Sequence, residues 1–128
     1  MKPAFLLDTS ILIWALEDTP KLPNKVKNIL TDQENFVVYA SVVNLWEITI
    51  KTSIRKIQLT IEIPQLIRLI PFNFLPITEK YFETLAKLPY HHKDPFDRML
   101  ISQAIVENLT IITSDKKFKK YNVPLLLV

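Results

Sequence analysis

The chain contains no glycine in its 128 residues. That excludes a Walker A loop, a dinucleotide-binding fingerprint and a Gly-x-Ser-x-Gly nucleophile elbow, which need backbone close to phosphate or at positive φ. Cysteine is also absent, so there are no disulfides and no thiolate metal sites, as suits a reducing cytoplasm. The only histidines, His91 and His92, are adjacent and lack helical ligand spacing. Without cysteine or a third histidine they predict a surface loop rather than a zinc site. No apolar run approaches the ~18 residues of a membrane span. An acid at position 8 comes too early for the apolar region of a signal peptide. Any catalysis must therefore come from side chains or a metal, and the expected location is the cytoplasm.

Apolar residues make up 48% of the chain, enough for the core of one compact domain spanning 1–128. The net charge of +3 is a mild bias towards anionic partners. Lysines 116, 117, 119 and 120 crowd one segment, and Lys51, Arg55 and Lys56 another.

Short apolar runs alternate with helical patterns. "AFLLD" (Ala4 to Asp8), "FVVYA" (Phe36 to Ala40), "FNFLPI", "LTIIT" (Leu109 to Thr113) and "VPLLLV" read as strands. Helices are expected after a cap at Thr9 or Ser10, over Leu22 to Leu30 with Pro23 in the first turn, and from Ser41 through "VVNLWEITIKTSIRK". Others are expected from near Pro64, after a Thr78 cap with Tyr81, Phe82 and Leu85 on one face, and from Pro95 to Glu107. "SDKKFKKY" reads as a short helix or turn. The order predicts an α/β fold in three layers, with a mostly parallel sheet of four to five strands flanked by helices. Trp14 and Trp46 sit in apolar helices and are expected in the core.

In such a sheet, ligands sit beyond the carboxyl ends of the strands. Asp8 follows the first strand and Asp115 lies two residues past Thr113, so both are expected at one rim; either could equally cap the next helix. Glu47 is the only acid in "VVNLWEITIK", a helix apolar on nearly all sides. A carboxylate buried there needs a partner: Lys51 one turn on, or a cation. In "YHHKDPFDRMLISQA", Asp94 is placed to cap the helix begun by Pro95, with Arg98 four residues on as a pairing partner. Asp97 has less structural excuse, because Leu100, Ile101 and Ala104 follow it at core spacing. Asp8, Glu47, Asp97 and Asp115 could thus converge and would then repel one another. Oxygen-loving Mg²⁺ or Mn²⁺ would resolve that repulsion, and such a site can activate water and clamp a phosphate. With lysines nearby, the substrate this suggests is a nucleic-acid phosphodiester.

In the order "LLDTSILIWAL", "ASVVNLWEITIK", "LPYHHKDPFDRMLISQA" and "LTIITSDKKFKKY", nearly the whole chain resembles a PIN-domain ribonuclease of the VapC toxin type. The resemblance implies a Mg²⁺- or Mn²⁺-dependent endoribonuclease with Asp8, Glu47, Asp97 and Asp115 as metal-holding catalytic acids. It also implies RNA as substrate, 5′-phosphate and 3′-hydroxyl products, a cognate antitoxin and a homodimer. Asp94 and Arg98 are expected to support the site; the hydroxyls of Thr113 and Ser114 either reach the metal waters or phosphate or, equally, serve as caps. His92, Lys51, Lys116 and Lys117 are candidate substrate contacts. Two departures stand out: Ser10, where many relatives carry histidine, and the loop "SIRKIQL", which lacks a frequent glycine.

Two rival functions compete with this one. An aspartyl phosphotransferase would use Asp8 as nucleophile, but Ser10 occupies the place of the second acid that chemistry wants. A non-catalytic PIN-like module would bind RNA or protein without cutting, against which stands the complete acidic set.

Overall fold

The computed structural model describes all 128 residues. Five strands form one sheet: β1 (Ala4–Leu7), β2 (Val37–Ser41), β3 (Asn73–Leu75), β4 (Thr110–Thr113) and β5 (Leu125–Leu127). Their spatial order is β3-β2-β1-β4-β5, and every pairing is parallel. The expected strands are all present, and the sheet is wholly rather than mostly parallel.

Six α-helices cover it: α1 (Thr9–Glu17), α2 (Asn24–Thr31), α3 (Val42–Ser53), α4 (Ile63–Leu69), α5 (Phe82–Lys87) and α6 (Pro95–Glu107). Two 3₁₀ turns, Glu79–Tyr81 and Lys116–Lys120, complete the chain. Alternation along the strands divides the core. Phe5, Leu7, Val38 and Ile112 face one side, where α1, α2 and α4 pack with Ile11, Leu12, Val26 and Leu66. Leu6 and Ile111 face the other, against Met99, Leu100 and Ala104 of α6 and against Tyr81. Burial on both faces explains why these strands read as unbroken apolar runs. No helix is long and apolar enough to cross a membrane.

The chain runs outward from β1 through β2 to β3, then returns across the sheet to β4 on the other side of β1. The order therefore reverses beside β1, and a crevice is expected beyond the carboxyl ends of β1 and β4. Asp8 and Asp115 lie there.

Several local expectations need correcting. The cap of α1 is Asp8, which accepts the Ile11 amide, rather than Thr9 or Ser10. Pro23 precedes α2 as its cap residue. Helix α3 stops at Ser53, short of Lys56, because Arg55 turns into the left-handed region at φ 60°. The Thr78 side chain makes no cap hydrogen bond, and its hydroxyl is buried without a partner. Tyr81 is buried but Phe82 points outward, since a 3₁₀ turn hands over to α5 between them. Trp46 is half exposed, on the outer face of α3 and edge-on to Phe96 at 4.8 Å. Trp14 is partly buried.

With no glycine, Asp18, Arg55 and Asn108 take the left-handed positions. Asp18 and Asn108 end α1 and α6, and short polar side chains tolerate that geometry. Arg55 is the costly one, in the loop where glycine is missing.

Candidate active site: an acidic hollow at the strand ends

Four segments distant in sequence bring their acids to one hollow of about 230 Å³. Asp8, Glu47, Asp94, Asp97 and Asp115 all line it. Ser10, Ser114, Lys51, His92 and Lys117 stand among them. Lys116 is exposed and takes no part in the lining.

Asp8 is delivered by β1 and fixed by two donors. One oxygen accepts the Ile11 amide at 2.9 Å and the other the Thr113 hydroxyl from the end of β4. The Thr113 oxygen in turn accepts the Asp115 amide at 3.0 Å. One threonine therefore ties the first acid to the last. Burial raises the Asp8 carboxyl to about 6; the Thr113 and Ile11 hydrogen bonds oppose the rise, and the charges of Glu47 and Asp115 add to it. Asp115 caps the following 3₁₀ turn by accepting the Lys117 amide at 2.9 Å. Capping and convergence, set against each other as readings of Asp8 and Asp115, are both true of these residues.

Glu47 reaches the hollow from α3. A capping box starts that helix: Ser41 accepts the Val43 amide, and Asn44 accepts the Ser41 amide at 2.7 Å. The amide group of Asn44 donates to the Leu7 carbonyl at 3.2 Å and to the Thr9 hydroxyl at 3.1 Å, and so ties α3 to the end of β1. Thr9 donates to one Glu47 oxygen, and Lys51 pairs with the other. The ion pair is formed, and its acid is buried rather than solvated. Burial alone would lower the Lys51 ammonium. The Glu47 hydrogen bond and charge, with weaker help from Asp94 and Asp97, raise it above its ordinary value.

At the start of α6, Asp94 accepts the amides of Phe96 at 2.8 Å and Asp97 at 3.1 Å, as expected of a cap. Asp94 also lines the hollow, which the capping reading did not anticipate. Asp97 turns inward and meets His92 Nε2 at 2.7 Å. Burial is the main cause that raises its carboxyl to about 7; Asp94 and Glu47 push the same way, and His92 opposes. His92, Asp94 and Asp97 offer three ligand atoms within 4.8 Å of one another.

Arg98 does not pair with Asp94. It is buried and turned the other way, donating to the carbonyls of Pro89 at 2.9 Å and of Leu85 and Leu88 at 3.4 Å. Its guanidinium lies 3.9 Å from the centre of the Tyr90 ring. Because Leu85 to Pro89 close α5, Arg98 acts as that helix's terminal cap. It also donates to the Tyr121 hydroxyl at 3.3 Å, and that oxygen accepts the His92 amide at 2.9 Å. The two histidines lie on a loop as expected and His91 is exposed, but His92 is held over Asp97 with its side chain only 13% exposed.

Sequence reasoning missed Thr9, Asn44 and Tyr121 as parts of this assembly. Asn44 carried a signal, three residues after the Ser41 cap. Tyr121 carried none, since its partner His92 is 29 residues away.

The donors are almost all carboxylate oxygens, the chemistry suited to a hard divalent cation. Burial keeps Asp8 and Asp97 well above the ordinary carboxylate range, neighbouring acids add to the rise, and a bound cation would offset both effects. The residues therefore fit Mg²⁺ or Mn²⁺.

A parallel α/β sheet with an acid-lined hollow at its switch point defines the class. Residues 5–124 match the PIN domain family, and the chain belongs to it. No curated protein matches the sequence. Among solved structures, the fold is similar to a chain of VapBC2 from Rickettsia felis bound to a DNA fragment from their promoter. There the TM-score is 0.74 and identity 20%, over 97% of this chain and 98% of that one. VapBC-1 from nontypeable Haemophilus influenzae gives 0.64 at 22% identity, covering 97% of each chain. VapBC-5 from Mycobacterium tuberculosis, a member of the VapBC family of toxin-antitoxin systems, gives 0.61 at 19%, covering 98% of each.

Proposed function

We propose that this protein is a Mg²⁺- or Mn²⁺-dependent endoribonuclease, the toxin of a toxin–antitoxin pair acting in the cytoplasm. The observation that carries the reading is the meeting of Asp8, Glu47, Asp97 and Asp115 in one hollow beyond the ends of β1 and β4. Membership of the PIN domain family supports nuclease chemistry. The toxin role, an antitoxin partner and a homodimer draw on the likeness to VapBC structures.

In this reading Asp8, Glu47 and Asp97 hold the cation. A bound divalent cation supplies Lewis-acid chemistry, making water more acidic and offsetting the charge that builds on a phosphoryl group under attack. Asp115 completes the ligand set or orients the attacking water. Thr113 keeps the Asp8 and Asp115 segments in register, and Asp94 presents Asp97 by capping α6. Arg98 and Tyr121 hold the loop that carries His92. Lys117 and Ser114, on the rim, face the substrate phosphate. Water attacks phosphorus in line and the ribose 3′-oxygen leaves with a proton, giving a 5′-phosphate and a 3′-hydroxyl.

The test is incubation of the pure protein with mixed RNAs and Mg²⁺ or Mn²⁺. Cleavage is expected, lost on chelation and lost in Asp8→Asn with the fold intact. RNA binding that survives both changes, with no cleavage under any metal, would replace this reading with that of a binding module.

A further inference from the structure

Lys51 stands on the wall between two hollows. One is the acidic hollow; the other, of about 320 Å³, shares Thr9, Ser10, Glu47 and Lys51 with it and carries Lys56 and Trp14 on its far side. Two basic side chains contact the acids: His92 meets Asp97 and Lys51 meets Glu47. The other Glu47 oxygen already accepts the Thr9 hydroxyl, so any cation taken up by Glu47 must compete with the ammonium for this carboxylate. Two cations on one carboxylate repel, and coupling between them is reciprocal: whatever the ammonium costs the metal, the metal costs the ammonium.

The two partners differ in how easily they can part. The Glu47 side chain is 7% exposed and cannot leave, whereas that of Lys51 is 32% exposed. A lysine so placed can give up its partner and regain water at little cost. Lys51 already lines the second hollow, where Lys56 supplies another positive charge. Two ammonium groups beside a carboxylate-lined centre suit an anionic chain that enters along that wall.

We infer that Lys51 is an internal counter-ion of Glu47 which a divalent cation displaces, and which then joins Lys56 in binding the substrate phosphate beside the one being cut. The inference rests on the reading of the acidic hollow as a cation site. It makes the lysine a placeholder that holds the buried glutamate until metal arrives, then a substrate contact.

The 128-residue protein is compared with Lys51→Met and Lys51→Arg by Mn²⁺ titration calorimetry and by melting with and without metal. Lys51→Met is expected to bind Mn²⁺ about fivefold or more tighter than the wild type. It should melt lower without metal, and the gap should narrow or reverse at saturating Mn²⁺. Lys51→Arg, which keeps the charge, should bind Mn²⁺ as the wild type does. With RNA, Lys51→Met should raise KM more than it lowers kcat, and Lys56→Met should raise KM alone. Equal or weaker Mn²⁺ binding by Lys51→Met would overturn the counter-ion role; unchanged KM in both lysine variants would overturn the phosphate role. Failure to bind Mn²⁺ by any form would end both this inference and the nuclease reading. Mn²⁺ binding with no RNA cleavage by the wild type would end the nuclease reading alone, with the Mn²⁺ comparison still deciding the counter-ion role.

Discussion

Thr113 donates a hydroxyl hydrogen bond to Asp8 and accepts one from the amide of Asp115 on the same oxygen. This joins two acids more than a hundred residues apart and is fully buried. In Thr113→Val, which preserves shape but not the hydroxyl, the Asp8 carboxylate loses a donor and the Asp115 amide an acceptor. The expected destabilisation is about 1–3 kcal/mol by urea denaturation. Thr113→Ser should recover most of it and restore RNA cleavage.

Stability without metal should fall as pH rises. The Asp8 carboxyl moves from 3.8 to about 6 on folding, so between those values the native state binds more protons than the unfolded one. Its contribution is fully present below pH 3.8 and is lost as pH rises through about 6. Asp97, raised to about 7, acts in the same direction. The Asp8 shift corresponds to about 3 kcal/mol at most. Melting in a chelator from pH 5 to 8 should show this decline, and saturating Mg²⁺ should flatten it. A metal-free melting temperature that rises over that range would contradict the assignment of cause.

Asp8→Asn should abolish activity and yet raise the metal-free melting temperature at pH 7.5. Asparagine can still cap α1 through the Ile11 amide, while the buried charge is gone. A gain of about 1–2 kcal/mol is expected. Loss of folding in this variant would mean that Asp8 is mainly structural.

Arg98→Met should destabilise the fold by about 2–4 kcal/mol, because it strips donors from the carbonyls of Leu85, Leu88 and Pro89 together. Arg98→Lys should rescue little, since an ammonium cannot serve those carbonyls as a planar fork does. Equilibrium unfolding of the two variants checks this.

What was legible in the sequence follows the range of each interaction. Helix α6 was readable to its ends because Asp94-Pro95 starts it locally and Asn108 stops it locally. The strands were readable because burial on both faces leaves runs such as "AFLL" and "TIIT". The four acids could be assigned to one edge because a parallel sheet places its carboxyl ends together. Of their partners only Lys51, one helical turn from Glu47, could be read, because the others depend on packing. Arg98 looked like a partner for Asp94 at helical spacing, but the end of α5 offers it three carbonyls instead. The position of His92 depends on Tyr121, and Trp46 points outward because Val43, Glu47 and Ile48 occupy the inward side of α3.

The central place of β1 also bears on synthesis. Its Asp8 leaves the ribosome long before β4, which provides its Thr113 neighbour. A nascent chain holds the acid cluster only in fragments until that late strand docks beside the early one. A chain cut short before Thr113 would lack both that anchor and Asp115, and so could not assemble the acidic hollow.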